Sequence, residues 1–233
     1  MSYKLLSSTS LKIIAITTML IDHIGYIFYP AIITNESIYL ILRLVGRISF
    51  PLFAFILVEG YFHTRSRNKY LVRLLIFALL TEVIFDFAFY QTVINWQHQN
   101  VLFTFLIGLF SLSVYELFKL KLPVLSLISV FILAITAEIL NLDYGILGVL
   151  LIFLVYLLRG NFPAVAASII LANILFTDLS FNNLEGMLQA FAGLSVIFIY
   201  AYNGNRGFNL KYFFYLFYPL HLLVLYLLFI FMS

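Results

Sequence analysis

Tyr39-Leu40-Ile41-Leu42-Arg43-Leu44-Val45-Gly46-Arg47-Ile48-Ser49-Phe50-Pro51-Leu52-Phe53-Ala54-Phe55-Ile56-Leu57-Val58-Glu59-Gly60-Tyr61-Phe62 is apolar over the length of a membrane span, yet it carries two arginines and a glutamate. A run of Leu, Ile, Phe and Val this long reads as a helix that closes its backbone hydrogen bonds within hydrocarbon; barrel strands are only about ten residues long and alternate. The whole chain has the same character. Its 233 residues are 64% hydrophobic and 10% charged, which leaves too little polar surface to cover a water-soluble globule. The expected fold class is all-α, a polytopic transmembrane helix bundle forming one domain over 1–233.

Apolar segments near 11–29, 39–62, 71–91, 101–118, 122–140, 144–159, 163–177, 185–202 and 213–232 predict about nine spans. The segments at 144–159 and 163–177 fall short of the ~20 residues of a full crossing and could form one re-entrant hairpin. Residues 1–10 are short and polar, and no small-residue cleavage pattern follows Leu11 to Tyr29, so that run reads as a retained signal-anchor. Lys4, Lys12, Arg65, Arg67, Lys69, Arg73, Lys119, Lys121, Arg159, Arg206 and Lys211 fall on one side of this arrangement. The opposite loops carry Glu36, Asp143 and Asp178 and no Lys or Arg. Cations accumulate on the cytoplasmic side, so the N-terminus is expected in the cytoplasm and the C-terminus outside, with the chain multi-pass in an inner or cytoplasmic membrane. The net charge of +3 then reflects topology, and no basic patch with interleaved aromatics points to nucleic acid. The chain has no cysteine, which excludes thiol catalysis by its own residues.

Charges that remain inside spans are the informative ones, because each costs about 2.5–3.5 kcal/mol to insert at the centre of a helix. They concentrate early: Asp22 and His23, then Arg43, Arg47, Glu59 and His63, then Glu82 and Asp86. Arg43 and Arg47, Glu59 and His63, and Glu82 and Asp86 are each four apart and share a helical face. With the orientation above, His23, Arg43, Arg47, Glu82 and Asp86 fall in the middle to external half of the bilayer and could meet in one layer. One reading is a buried ion-pair network that fixes helix packing. Another is an active site, since an imidazole with an unperturbed pKa of about 6.5 stands among these charges. Asp22 adjoins His23 but points about 100° away from it, so Glu82 or Asp86 could orient the imidazole instead.

Pro51 removes a backbone donor and predicts a kink in the second span. The Arg43/Arg47 and Glu59/His63 stripes lie about 160° apart on a straight helix, and a bend could turn both toward a common cavity. At the cytoplasmic end, Glu59 and His63 lead into Arg65, Arg67, Lys69 and Arg73, a set suited to a polyanionic phosphate ligand, to anionic lipid heads, or to topology alone.

The motifs Met19-Leu20-Ile21-Asp22-His23-Ile24-Gly25, Arg43-Leu44-Val45-Gly46-Arg47-Ile48-Ser49-Phe50-Pro51-Leu52-Phe53 and Val58-Glu59-Gly60-Tyr61-Phe62-His63-Thr64-Arg65, followed by Arg73, Glu82, Asp86, Asn100 and Thr104, resemble the TraX family. The namesake of that family is a conjugative-pilin N-acetylase, and the family is distantly similar to membrane acyltransferases that rely on an embedded histidine. The resemblance is strongest over residues 10–105. It implies acetyl transfer from cytosolic acetyl-CoA to an amine or hydroxyl of a peptide or cell-envelope glycan, with no metal expected. His23 would be the general base, with Asp22, Arg43, Arg47, Glu82 and Asp86 completing the catalytic set. Arg43 and Arg47 would stabilise the oxyanion or hold anions, while Glu82 and Asp86 would orient His23 or balance the arginines. Glu59, His63 and Arg65 would form the donor entrance, and Arg67, Lys69 and Arg73 would lie near the CoA phosphates. The absence of cysteine favours direct transfer, with an acetyl-histidine intermediate as the alternative. His221 reads more readily as a packing residue. A proton-coupled or anion transporter could use the same buried charges. Membrane lipids and the acetyl acceptor are the expected partners.

Overall fold

The computed structural model describes residues 4–177, 184–208 and 210–232; Asp178, expected in an external loop, lies outside them. The described residues form helices joined by short turns and no strand. Helix α1 spans Ser8–Phe28 and starts where the Ser7 hydroxyl accepts from the Ser10 amide. Asn35 caps α2, Glu36–Gly46, by accepting from Ser37 and Ile38. Helix α3 follows at Ser49–His63, α4 at Arg67–Tyr90 behind a Ser66 cap, and α5 at Val101–Phe118 behind Asn100. Such caps satisfy amides that have no partner within the helix. Then come α6, Pro123–Ile139; α7, Gly145–Leu157; and α8, Phe162–Leu175. A short α9, Leu184–Leu188, passes through a 3₁₀ turn at Gln189–Leu194 into α10, Ser195–Tyr200, and α11 closes the chain at Lys211–Met232.

Helices Ser8–Phe28, Glu36–His63 taken through its bend, Val101–Phe118 and Tyr212–Met232 are long and apolar enough to cross a membrane. Large apolar side chains such as Leu79, Leu80, Phe131, Ile132, Leu220 and Leu227 face outward along α4, α6 and α11. An outward apolar band of this kind suits lipid and not water. The expected segments at 144–159 and 163–177 are two separate short helices, α7 and α8. Val149, Leu151 and Ile152 of α7 are fully buried, and α3, α5, α6 and α8 surround it. A helix enclosed by protein need not match the bilayer's thickness, and α7 at ~1.5 Å per residue does not.

The expected bend is present, and it falls where Pro51 dictates. Proline lacks the amide that would bond the carbonyl four residues earlier, which is that of Arg47, and its ring crowds that carbonyl. The helix breaks at Arg47 and Ile48, tightening into shorter-range bonds from Arg47 to Leu44 and from Ile48 to Val45. Before the break, α1 and α2 approach closely. A side-chain carbon at Gly46 would collide with the Asp22 carboxyl group, and one at Gly25 would lie 2.9 Å from Leu42. Small residues permit this approach, as at helix contacts within membranes generally.

Two ends of the bundle are tied by different bonds. At one end, Leu6 pairs with the backbone of Ala201 and Asn203, and Glu59 reaches Arg159 and Tyr202. At the other, Gln99 exchanges backbone bonds with Asn141 and Asp143, so the 91–100 and 140–144 connections lie together. This grouping agrees with the alternation of loops inferred from charge.

Asn100 holds the second end. Its side chain caps Leu102 at 3.0 Å, donates to the Ala78 carbonyl at 3.0 Å, and donates to the Glu82 carboxylate. Asn100→Ala should cost about 2–4 kcal/mol, combining a lost cap with buried acceptors left bare. Thermal unfolding in detergent should show a midpoint several degrees lower, and an unchanged midpoint would refute this role.

Candidate functional site

Between α1, α2, α3, α4, α5 and α11 lies a cavity of about 140 Å³. His23 on α1 and Arg43 and Arg47 from the bent second span line it, and His98, Asp143 and Tyr144 close it from the turns at that end. Asp22 and His23 diverge as adjacent helical residues must, and each meets a different helix. Asp22 accepts from Arg43 at 2.6 Å, while His23 Nδ1 lies 2.7 Å from Nε2 of His221 on α11.

The two imidazole rings are within 7° of parallel, and His221 Nδ1 lies 2.8 Å from the Phe217 carbonyl. That carbonyl can only accept, so His221 Nδ1 carries its proton and the neutral ring presents a lone pair at Nε2. His23 Nδ1 must then donate to it. The remaining nitrogen, His23 Nε2, is left as an acceptor on a residue that lines the cavity, with no hydrogen-bond partner among the described residues. A backbone carbonyl therefore sets the tautomer of a buried base through a second histidine. His221 is packed between the His23 and Phe217 rings, as expected of a buried histidine, and it also pairs with His23.

Arg43 also lies over the Tyr26 ring at 5.0 Å, and Arg47 is hydrogen-bonded to Tyr144 with Asp22 and Asp143 nearby. The Nε atoms of both arginines are buried without a hydrogen-bond partner among the described residues. Two donors so placed beside a base suit a developing oxyanion or a bound anion. Tyr144 occupies left-handed backbone at φ 62° and stacks on Phe50 at 3.6 Å. A bulky residue in that region costs about 1–3 kcal/mol and persists where its surroundings overdetermine it.

Glu82 and Asp86 do other work than expected. Glu82 accepts from the Asn100 backbone at 3.1 Å and Asp86 accepts from the Asn95 amide at 2.8 Å, so both carboxylates hold the 91–100 connection. Neither orients His23, whose ring partner is His221, and the arginines take Asp22 and Tyr144 as partners instead. Buried carboxylates four apart marked the right helix, but the amides of the following turn claimed them.

The bend does not bring Glu59 and His63 into this cavity. Glu59 Oε1 accepts from Arg159 Nε at 2.6 Å, and His63 Nε2 lies 3.6 Å from Oε2, at the opposite end of the bundle. There Arg67 lies over Tyr61 at 4.2 Å and Arg159 over Phe62 at 4.3 Å. Arg65, Arg67 and Lys69 are exposed, whereas Arg73 is half-buried beside Tyr70 and Tyr215.

His98 and Asp143 were not singled out from the sequence as site residues. His98 Nε2 lies 3.5 Å from Asp143 Oδ1 across the two joined turns. The bond to Asp143 raises the His98 pKa above 6.5 against desolvation, and the charges of Asp143 and Glu82 act in the same direction. The local signal was a polar stretch, Trp96-Gln97-His98-Gln99-Asn100, followed forty residues later by the turn Asn141-Leu142-Asp143-Tyr144-Gly145. Among the described residues no group of three His, Asp or Glu is placed to hold a metal ion.

A probable fimbrial assembly protein, FimC of serogroup H1, from Dichelobacter nodosus is 31% identical over 236 residues, covering 94% of each chain. No solved structure matches. The sequence pattern of the TraX protein family extends over residues 7–229, from the cap of α1 to the last turns of α11, and this helical membrane protein belongs to that family.

Proposed function

We propose that this protein is an acyltransferase of the inner or cytoplasmic membrane that moves an acetyl group from cytosolic acetyl-CoA to an amine or hydroxyl of a peptide or envelope acceptor. The observation that carries the reading is the unpartnered Nε2 of His23, fixed in tautomer by His221 and Phe217 and facing a cavity that also holds two arginines. A packing histidine needs no such relay. The name of the Dichelobacter relative favours a pilin-like or fimbrial acceptor.

His23 Nε2 removes the acceptor proton as the acceptor nitrogen or oxygen bonds to the thioester carbonyl carbon. Arg43 and Arg47 stabilise the charge gathered on the carbonyl oxygen. Collapse breaks the carbon–sulfur bond, and the thiolate regains a proton from the imidazolium. His221 keeps Nε2 facing the reacting atoms and Asp22 holds Arg43. The CoA phosphates would meet Arg65, Arg67 and Lys69 with the N-terminus cytoplasmic, and Ser49 to Glu59 measures about 15 Å of helix between that end and the cavity. Leu52 and Val58 pack that route closed, so α3 and its neighbours must part for the acyl arm to pass.

The test uses purified protein with labelled acetyl-CoA and pilin-type peptides or glycans. His23→Ala should lower transfer about 100-fold or more, the range of a lost general base. His221→Phe, which keeps the ring but not the acceptor nitrogen, should lower kcat about tenfold with little change in KM. Undiminished transfer by His23→Ala protein would sink the base assignment.

A donor site at the 64–69 turn makes a separate demand. Arg67→Ala with Lys69→Ala should raise KM for acetyl-CoA about tenfold, as for about 1.4 kcal/mol of lost binding, while kcat holds. A normal KM would move the donor elsewhere.

A further inference from the structure

Two histidines face one cavity, and their surroundings differ. His23 sits on the inner wall backed by a neutral histidine, whereas His98 sits at the mouth backed by a carboxylate. The His98 side chain is 41% exposed, and its Nδ1 has no partner among the described residues. Asp143 is positioned to hold it through two backbone bonds between the 91–100 and 140–144 connections and by the Thr104 hydroxyl donating to the Asp143 carbonyl. This is the arrangement in which a carboxylate fixes an imidazole and leaves the other nitrogen free to exchange a proton.

We propose that His98 is a second catalytic proton acceptor, which strips one proton from an acceptor arriving as a primary ammonium before His23 removes the other. This rests on the acyltransfer reading above. An α-amine, with an ordinary pKa of about 7.7–8.0, arrives mostly protonated at neutral pH and is then no nucleophile. Two protons must leave such a nitrogen, against one for a hydroxyl. His98 Nδ1 takes the first, converting the ammonium to a free amine, and hands it to water at the mouth. His23 Nε2 takes the second as the nitrogen–carbon bond forms and the carbon–sulfur bond breaks, and the departing thiolate recovers that proton.

The charges facing His98 support this order. Asp143 from the α6–α7 turn pairs with it, Glu82 of α4 lies within electrostatic reach, and Phe85 of α4 stacks beside it. Across the cavity, Asp22 of α1 offsets Arg43 of α2, and Arg47 is held by Tyr144 near Asp143. Asp143 is thus the carboxylate at the mouth that an entering ammonium meets. It also draws the proton affinity of His98 toward that of an α-amine, which brings the first transfer closer to balance.

The experiment compares wild type with His98→Gln and Asp143→Asn, using a peptide with a free α-amine and the same peptide bearing an aminooxy group, which is neutral at pH 6.5. His98→Gln should cost about tenfold with the α-amine at pH 6.5, much less with the aminooxy peptide, and the α-amine loss should shrink toward pH 9. Asp143→Asn, which keeps a polar partner in place, should displace the acid limb of the α-amine profile in the same direction. A wild-type profile in both variants overturns the proposal and leaves acyl transfer standing. Equal loss with both peptides at every pH makes the pair structural and overturns it too. Absence of transfer by wild type with either peptide overturns the acyltransfer reading and this inference with it.

Discussion

A hydrogen-bonding group left bare in hydrocarbon costs several kcal/mol, and much of this bundle's interior answers that cost. The guanidinium of Arg43 is tolerated because Asp22 stands 2.6 Å away, and Asp22 fits there because residue 46 has no side chain. The break at Arg47 and Ile48 is accommodated by tighter backbone bonds, and the Arg47 side chain finds the Tyr144 hydroxyl. One polar pair thereby goes with the close approach of α1 and α2 and with what this part of the cavity wall contains.

The same requirement separates polar groups that are spent on structure from those that remain available. Glu82 and Asp86 each commit one carboxylate oxygen to the 91–100 connection, through Asn100 and Asn95, and Glu59 is engaged by Arg159, His63 and Tyr202. His23 keeps a free nitrogen, and Arg43 and Arg47 keep buried donors. The imidazole and the two guanidinium groups that keep these unengaged nitrogens line one cavity.

Much of the architecture was legible because hydropathy acts over whole helices. Every expected apolar segment corresponds to helix, and Pro51 located its break through a single missing amide. The site was only half legible. Asp22, His23, Arg43 and Arg47 stood out as charges inside apolar runs, but partner choice depends on which helices become neighbours. Nothing local in Tyr218-Pro219-Leu220-His221 says that α11 returns to α1, so His221 read as packing and either Glu82 or Asp86 read as a group that could orient His23. His98 and Asp143 lie in turns, where polar residues are ordinary, and they gain meaning only once the two turns are joined.

The bond between His23 and His221 joins residues 198 positions apart, on the first and last helices. Leu6 is likewise stitched to Ala201 and Asn203, just before the last helix begins. The tautomer of the His23 imidazole is therefore settled by a ring 198 positions further along the chain. Synthesis runs from the N-terminus, so α1 and α2 can be made and inserted well before the helix that fixes this nitrogen exists.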